Sequence, residues 1–316
     1  MGKIRECRFE NGAGKGASNF DVYGIGQCSL DYVGRVDTYP PADTKCELSE
    51  MIIQGGGPVA TALVALARWG IACSFAGVVG DDRFGNIIKS SLEDEGIDIS
   101  GLRVRRGFES QCAFIMAEPG VGRRTIFWRR PTGPALSAEE IDYASIRSAR
   151  IVHTDGLFIE ASLCACREAR EAGVLVVVDA GSFREGMVEL GRMSDCFLAS
   201  ETFARDFVGE DKPLDACRKL AEICPGTVGV TLGKRGAVVM DKMRIINRPA
   251  YSVEAVDTTG CGDVFHGGFI YGLLQDWSLE GCMDFAAWAA SMVSMKLGGR
   301  TGIPSIAEWQ RLATKK

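Results

Sequence analysis

The chain has 316 residues, of which 46% are hydrophobic and 24% are charged, and its formal net charge at pH 7 is -5. This length and composition suit one large α/β domain, or one domain with a small appendage. The basic residues are scattered along the chain without forming a stripe, which argues against nucleic acid and anionic membrane surfaces as partners.

The twelve cysteines are spread singly along the chain, and Cys164 and Cys166 are the closest pair. No C-x-x-C pair is present and the only histidines are His153 and His266, so a structural zinc site is not expected. The chain begins with polar, charged sequence, and its longest aliphatic run, residues 174–178, is too short to cross a bilayer. These features favour a reducing cytoplasm, where most cysteines act as small buried apolar residues.

The first 19 residues are rich in Gly, Lys and Arg and are predicted to be a flexible tail before a domain at residues 20–312. Residues 11–16 superficially match a phosphate-binding loop, but Gly16 stands where Ser or Thr should follow the lysine. Residues 21–26 are predicted to form the first core strand. Because Ser29 replaces the third glycine of a dinucleotide fingerprint after Gly24 and Gly26, NAD binding is disfavoured.

A triple glycine, Gly55-Gly56-Gly57, leads into a helix that Pro58 should start and Gly70 should stop. The helix is apolar nearly all round, which predicts burial. Residues 111–116 and 124–128 are predicted to form two strands around the turn at residues 118–122. Arg129 and Arg130 follow the second strand; they could reach an anionic substrate or be solvated surface arginines.

Residues 137–140 form a capping box for the next helix, and strands and helices alternate from there on. This alternation predicts a parallel sheet covered by helices on both faces. Ligands in such sheets bind beyond the carboxyl ends of the strands. Five polar residues lie at predicted strand ends and so predict one shared site: Asp31, Asp155, Asp179, Ser200 and Thr231. The last long helix is predicted to begin after Ser278 and to end at residues 298–299.

The stretch Asp257-Thr258-Thr259-Gly260-Cys261-Gly262-Asp263 opens a predicted helix. Gly260 and Gly262 have no Cβ, so a bulky anion can approach the backbone. The amides of Gly260, Cys261 and Gly262 should be unpaired, because the first helical turn has no internal acceptors, and such helix ends bind phosphate. A carboxylate at Asp263 repels phosphate, and a role as general base for an attacking hydroxyl explains its presence.

This stretch resembles the D-T-x-G-A-G-D signature of the PfkB/ribokinase family of small-molecule kinases, with Cys261 in place of alanine. The resemblance covers roughly residues 22–304. It implies a ribokinase-like three-layer α/β/α sandwich with a mostly parallel central sheet and a small β-sheet lid, formed by about residues 33–54 and 109–130. It also implies ATP-dependent phosphorylation of a hydroxyl on a ketose-like or ribose-like sugar.

The resemblance assigns site residues by position in the family motifs. The catalytic set is Asp263 with the amides of Gly260, Cys261 and Gly262. The residues implied for substrate binding are Asp31, Ser29, Gly56, Gly57 and Thr61, with Thr61 standing where the family has asparagine. Two further substrate candidates come from their places in the sequence: Asp155 at a predicted strand end and Arg129 after a predicted lid strand. Residues 231–236 resemble the nucleotide segment T-x-G-x-x-G, and they also fit a glycine hairpin. The residues implied for nucleotide binding are Thr231, Gly233, Gly236, Ser200 and Thr258.

The cofactors implied are ATP and Mg²⁺, with K⁺ as a further candidate. The family's N-x-x-E motif, which organises Mg²⁺, is replaced here by Ser200 and Phe203, leaving Glu201 as an indirect Mg²⁺ residue. A monovalent cation is implied near Asp257 and Thr259. The triple glycine and the missing N-x-x-E resemble the branch containing sulfofructose kinase. Because small lid sheets leave edges exposed, a homodimer through the lid is predicted.

Three alternatives to a sugar kinase stay open. A nucleoside kinase of the same family would share every motif except the sugar pocket. A non-catalytic sugar-sensing relative is favoured by the altered segment at residues 200–203 and opposed by the intact Asp263. A dinucleotide-dependent oxidoreductase is opposed by the missing third glycine.

Overall fold

The computed structural model describes residues 20–120, 123–209 and 212–313. The predicted tail and the residues that superficially match a phosphate-binding loop lie outside this described part. The strands are β1 (Val22–Ile25), β2 (Ser29–Arg35), β3 (Glu50–Gly56), β4 (Cys73–Gly80), β5 (Asp98–Arg105), β6 (Cys112–Glu118), β7 (Arg123–Arg129), β8 (Ile151–Thr154), β9 (Leu175–Ala180), β10 (Cys196–Ser200), β11 (Thr227–Thr231), β12 (Ala237–Asp241) and β13 (Arg244–Arg248). The helices are α1 (Pro58–Arg68), α2 (Arg83–Glu93), α3 (Tyr143–Ser148), α4 (Ile159–Glu171), α5 (Met187–Met193), α6 (Glu201–Val208), α7 (Pro213–Leu220), α8 (Cys261–Leu274), α9 (Leu279–Val293) and α10 (Ile306–Ala313).

The main sheet has nine strands in the order β13-β12-β11-β10-β9-β8-β1-β4-β5. Only the β11–β12 and β12–β13 pairs are antiparallel. Its central strands are buried on both faces, as their continuous apolar runs require. Helices α1, α2, α8 and α9 cover one face, and α4 to α7 cover the other. The predicted α/β sandwich with a mostly parallel sheet is therefore confirmed.

A second sheet of four strands, in the order β3-β2-β6-β7, forms the lid. It begins at Ser29, four residues earlier than the sequence pattern predicted, because only residues 26–28 separate β1 from β2. Asp31 therefore lies on a lid strand and not in a loop after the first core strand. Alternate residues of each lid strand face opposite sides of the sheet. One side carries Asp31 and faces the cleft; the other faces outward, except that Tyr32 on it contacts Phe84 of α2.

Some local predictions were wrong. The capping box at Ser137 and Glu140 closes a 3-10 turn, Ala138–Glu140, while Asp142 caps α3 by accepting from the amides of Ala144 and Ser145. Helix α9 begins after Ser278 as predicted but ends at Val293, five residues before the predicted end. Strands β5 and β13 were not predicted, because both lie at exposed edges of the sheet and carry weak apolar alternation.

The eleven cysteines in the described part of the chain are all free thiols, and most are buried. This agrees with the prediction that they pack as small apolar side chains. Among the helices of the described ranges, none combines the length and apolar character needed to span a bilayer.

Candidate active site

The predicted strand-end residues line one edge of the main sheet in a definite order. Ser200 of β10 lies opposite Thr231 of β11, and Asp179 of β9 lies opposite Leu198 of β10. Asp155 follows β8, which pairs on its other side with β1. From β11 to β8 the edge therefore carries two hydroxyl side chains and then two carboxyl groups. This order separates a neutral end of the cleft from an acidic end.

The glycine-rich turn begins α8 at Cys261, so Asp263 is the third residue of the helix. Gly260 has a φ of 72°, and a Cβ there would lie 2.5 Å from the Cα of Gly299, so only glycine fits. In the described ranges the amides of Gly260 and Gly262 have no hydrogen-bond partner. The Cys261 amide donates to the Thr258 carbonyl over 3.4 Å, which corrects the expectation that all three amides are free. A Cβ at Gly262 would meet open space.

Asp263 is half-buried beside this turn, and the charges of three other predicted carboxylates act on it. Burial raises the pKa of Asp263 to about 8, helped by the negative charge of Asp179 and, more weakly, of Asp31 and Asp155. The positive charge of Arg124 opposes this rise in pKa. A carboxyl group with a pKa raised this far can exchange a proton in the range just above neutral pH.

His266 contacts both the first turn of α8 and the edge of the main sheet, a role that the sequence did not suggest. Its Nδ1 lies 2.8 Å from the Gly262 carbonyl oxygen and 3.5 Å from a carboxylate oxygen of Asp179. Its Nε2 lies 3.3 Å from the Leu198 carbonyl oxygen on β10. The buried ring thus fixes the glycine-rich turn relative to the strand edge.

Asp31 faces the main domain from β2 and is buried. The Ser29 hydroxyl donates to it over 2.6 Å. Burial raises the pKa of Asp31, and the Ser29 hydrogen bond and the charge of Arg300 oppose the rise. Arg300, which is only 5% exposed, donates to Thr61 over 3.4 Å and to the Gly56 carbonyl over 3.3 Å. The buried guanidinium of Arg300 therefore lies near the Asp31 carboxylate and near Thr61, which was predicted to bind substrate.

Each residue of the triple glycine has its own packing reason. A Cβ at Gly55 would lie 2.4 Å from Nη1 of Arg300, and one at Gly56 would lie 2.0 Å from a carboxylate oxygen of Asp31. Gly57 has a φ of 98°, and a Cβ there would lie 2.2 Å from the Gln27 carbonyl oxygen. Gly57 therefore packs against the short connection from β1 to β2. The first two glycines leave room for the Arg300 and Asp31 side chains.

Asp155 forms the next wall of the same pocket. Its carboxylate accepts from the amide of Gln27 over 3.1 Å and from the amide of Leu157 over 2.9 Å. Burial raises the pKa of Asp155 to about 7, against the effect of these two hydrogen bonds. Its backbone carbonyl accepts from Arg184 over 3.4 Å. Arg184 was not predicted, because nothing in its local sequence indicates that its loop returns to β8.

Three arginines of the lid differ in the face of the sheet they occupy and in their partners. Arg124 faces the main domain, and its Nη1 donates to the Thr258 hydroxyl over 2.8 Å. Arg129 lies on the opposite face of β7 and pairs with Glu109 over 2.9 Å. This placement does not bring Arg129 together with the other predicted substrate residues. Arg130 stacks over the Trp128 ring at 5.0 Å, on the same side as Arg124.

The predicted nucleotide segment forms the hairpin that its glycines indicated. Gly233 and Gly236 have φ values of 56° and 92°, and a Cβ at Gly236 would lie 2.0 Å from the Arg248 carbonyl oxygen. The Thr231 hydroxyl donates to the Ala199 carbonyl over 3.4 Å. Ser200 caps α6 by accepting from the Phe203 amide over 2.9 Å. These residues lie together at the neutral end of the cleft.

The residues expected near metal ions have protein partners. Asp257 accepts from the amide and the hydroxyl of Thr259 and from the Gly298 amide, at 2.9, 2.7 and 2.8 Å. Glu201 pairs with Arg235, and Phe203, at the position of the family's glutamate, is fully buried. Within residues 20–120, 123–209 and 212–313, no three His, Cys, Asp or Glu side chains are grouped to hold a metal ion. A monovalent cation held by backbone carbonyls stays a prediction.

We expect Asp31→Asn to weaken binding of the acceptor and not of the nucleotide. Loss of a charged hydrogen-bond acceptor should raise the acceptor KM roughly 10- to 100-fold, while the ATP KM stays within about twofold. Initial rates with each substrate varied in turn measure both constants. A change in the ATP KM alone would contradict the placement of Asp31 on the acceptor side.

Comparison with known proteins gives a consistent picture. The model of the pfkB family carbohydrate kinase matches residues 20–306. An ATP-dependent ribose-1-phosphate kinase of Halopiger xanaduensis is 28% identical over 287 residues, covering 89% of this chain and 94% of that protein. A nucleoside kinase of Methanothermobacter thermautotrophicus is 29% identical over 301 residues, covering 91% of this chain and 94% of that protein.

A solved structure supports the fold. Ribokinase from Thermotoga maritima superposes with a TM-score of 0.80 at 24% identity, covering 93% of this chain and 99% of that one. The similarity extends over nearly the whole of both chains. The resemblance to the sulfofructose kinase branch stays a prediction.

Proposed function

The chain belongs to the pfkB family of carbohydrate kinases, and we propose that it transfers the γ-phosphoryl group of ATP to a hydroxyl of a sugar or sugar derivative with Asp263 as general base. The observation that carries this proposal is the position of Asp263. It lies in the first turn of α8, where its pKa is raised by burial and by the negative charge of Asp179 at the acidic end of the cleft. A base at that point can reach an acceptor hydroxyl on one side while the phosphate chain lies on the other.

The proposed reaction needs three things from this chain. Asp31 and Asp155 hold the acceptor hydroxyl groups, which positions one hydroxyl at Asp263. Asp263 takes the proton of that hydroxyl as the oxygen attacks phosphorus. The amides of Gly260 and Gly262 then donate to the oxygens of the transferred phosphoryl group. Each such donor stabilises the transition state by about 3 kcal/mol, because the amides are fixed before the reaction begins.

Arg124 adds a positive charge to this centre from the lid. Its guanidinium is already held at Thr258, beside the glycine-rich turn, and it acts electrostatically on Asp263. We propose that it neutralises charge on the phosphoryl group and lowers the pKa of the base. Closing the lid therefore also completes the charge distribution of the site.

We propose ATP as the donor, bound at Ser200, Thr231 and the hairpin glycines. Mg²⁺ would neutralise charge on the ATP phosphates. The described residues do not fit a protein-held Mg²⁺ site, since they offer no three-ligand group and Glu201 is paired with Arg235. Mg²⁺ would therefore arrive on the nucleotide, and Glu201 would act only after Arg235 releases it.

The experiment that tests this proposal is a coupled assay of ADP release over a panel of acceptors. The panel contains neutral aldoses and ketoses, their phosphates, and nucleosides, each with ATP and Mg²⁺. The proposal predicts acceptor-dependent ADP release with at least one sugar. ATP binding without ADP release for any acceptor would contradict it and would favour the non-catalytic sugar sensor.

A nucleoside kinase is the second candidate, and one observation favours it. Trp128 is 52% exposed although it lies on the cleft-facing side of β7, where a nucleobase could stack on it. A relative that is 29% identical is a nucleoside kinase. Preference for adenosine or another nucleoside over every sugar in the panel would select this candidate.

We propose that the protein is a homodimer that buries the outward face of the lid. This face carries a row of neighbouring apolar side chains on four strands: Ile53, Tyr32, Phe114 and Phe127. Ile53, Phe114 and Phe127 are about half exposed. An apolar row of this kind across a whole sheet is typical of an interface.

Phe127→Glu is expected to give a monomer, because it places a charge in this apolar row, at the end formed by β7. The molar mass in solution, from light scattering after gel filtration, measures the change. Met243→Glu is the matched control, since Met243 is 93% exposed in the turn between β12 and β13, far from the lid. A monomeric wild-type protein at micromolar concentration would contradict the proposed dimer.

A further inference from the structure

We propose that the acceptor of this kinase is a sugar bearing an acid group, held by Arg130 and Arg184 at the end of the cleft away from the reacting hydroxyl. The inference rests on the proposed function, because it names the substrate class of the same site. The shared chemistry is an anionic group on a sugar, and phosphate, carboxylate and sulfonate are its possible sources.

Arg130 lies at the correct distance from the sugar-binding carboxylate. Asp31, Ala113 and Trp128 occupy one row across β2, β6 and β7, on the cleft-facing side of the lid. Two strand spacings separate Asp31 from Trp128, which is roughly 10 Å. Arg130 lies over the Trp128 ring. A sugar bound at Asp31 would therefore extend toward this guanidinium.

Arg184 approaches the same point from the main domain. It is half-buried in the loop after β9 and hydrogen-bonds the backbone carbonyl of Asp155 over 3.4 Å. Burial lowers the pKa of Arg184; the charges of Asp155 and Asp179 oppose this effect, and the charge of Arg130 adds to it. Arg184 therefore lies beside the Asp155 wall of the pocket on the main-domain side, while Arg130 lies on the cleft-facing side of the lid.

These two cations have no carboxylate partner in an ion pair within the described part of the chain. Other arginines around the lid are paired: Arg129 with Glu109 and Arg123 with Glu118. Positive charges on two sides of one cleft favour an anion between them. Guanidinium groups also bind phosphate and carboxylate through paired hydrogen bonds. The unpaired pair of arginines therefore fits an acid group of a ligand.

The position of the two arginines also fixes which end of the sugar is acidic. The reacting hydroxyl must lie at Asp263, beside the glycine-rich turn. Arg184 lies beyond Asp155, and Arg130 lies beyond Asp31 on the lid. The acid group therefore occupies the end of the sugar that is not phosphorylated, and a neutral sugar offers neither cation an ion pair.

The test compares neutral and acid-bearing forms of the same sugar with the full-length protein. Acceptors are a neutral ketose, a neutral aldose, and their phosphate, carboxylate and sulfonate derivatives, with ADP release as the measure. We expect the wild-type kcat/KM to be at least about tenfold higher for one acid-bearing form than for its neutral parent. The preferred derivative identifies the acid.

Arg130→Gln and Arg184→Gln should each lower kcat/KM for the preferred acid-bearing sugar roughly 10- to 100-fold. Each should change kcat/KM for the neutral parent by less than about threefold and leave the ATP KM unchanged. Arg192→Gln is the control, because Arg192 is an exposed arginine on the nearby α5 that pairs with Glu189. An equal loss for neutral and acid-bearing sugars would overturn the inference, and so would a wild-type preference for neutral sugars.

Titration calorimetry separates failure of this inference from failure of the proposed function. The acid-bearing sugars are titrated into wild type and into the Arg130→Gln, Arg184→Gln double variant, with no nucleotide present. Binding by wild type that is lost in the double variant supports the acid site even if no acceptor yields ADP. Equal binding to both proteins, or no binding of any acid-bearing sugar to wild type, overturns the inference even if neutral sugars are phosphorylated.

Discussion

Asp263→Asn is expected to leave a folded protein that binds ATP normally and turns over roughly 10²- to 10⁴-fold more slowly. Asparagine keeps the shape of the side chain but cannot take the proton of the attacking hydroxyl. The rate constant is measured by ADP release at saturating ATP and acceptor, and ATP affinity by calorimetry. Asp206→Asn, which changes an exposed carboxylate on α6, is the control and should keep wild-type turnover. Near-normal turnover of Asp263→Asn would refute the assignment of the base.

The pH dependence of kcat/KM provides a second test of Asp263 as the base. Because burial raises the pKa of Asp263 to about 8, the base is largely protonated at neutral pH in the free enzyme. We therefore expect kcat/KM to rise with pH and to level off above about pH 8, the pKa of the free enzyme's base. A plateau that already begins near pH 5 would show that the essential base has an ordinary carboxyl pKa.

As pH rises, the free energy of unfolding should fall, whereas kcat/KM should rise. The folded-state pKa of Asp263 is raised above the ordinary value of 3.8, so the folded protein binds this proton more tightly than the unfolded chain does. Wild type is therefore expected to lose stability as pH rises from about 4 to about 8, and the neutral asparagine avoids this loss. The free energy of unfolding of Asp263→Asn should exceed that of wild type most clearly at pH 8, with a smaller difference at pH 5.

The second large effect is expected at Gly262, where function and folding can be separated by comparison with Gly260. A methyl group at Gly262 meets only open space in the protein, so Gly262→Ala should fold. The methyl group would then occupy the space in front of the free amides and keep phosphoryl oxygens out of hydrogen-bonding distance. We expect a loss in kcat of roughly 10²- to 10³-fold, comparable with removal of one donor from such a site.

Gly260→Ala should instead damage the fold. Its φ of 72° costs a residue with a Cβ about 1–2 kcal/mol, and the methyl group would lie 2.5 Å from the Cα of Gly299. Thermal unfolding and kcat of the two variants test whether Gly262→Ala loses activity while Gly260→Ala loses stability. A destabilised but active Gly262→Ala protein would contradict the proposed contact between phosphate and this turn.

The sequence predicted the structure best where a single short motif indicates which helix, turn or hairpin forms. Residue types and spacing predicted the start of α8 at the glycine-rich turn, the start of α1 after the triple glycine and the hairpin at residues 231–236, although each of these stretches also packs against distant residues. The strand-end rule also grouped Asp155, Asp179, Ser200 and Thr231 correctly, because parallel strands place their ends at one edge.

The arginines show where sequence reasoning ends. Arg129 and Arg130 are adjacent and equally charged, yet the two-residue repeat of β7 sends one to Glu109 and the other into the cleft. Arg124, Arg184 and Arg300 reach the site from distant parts of the chain. Their positions depend on how the lid and loops pack, which no local pattern of residues records.

The tight packing of Gly57 against the Gln27 carbonyl has a mechanical consequence. The first strand that enters the lid, β2, and the first that leaves it, β3, are therefore held together at one junction with the body, whereas β6 and β7 join the body separately. Asp31 belongs to the lid sheet and Asp155 to the body, so a movement of the lid would change the distance between them. An outward swing would separate two walls of the acceptor pocket, so product release and disassembly of the pocket would be a single movement.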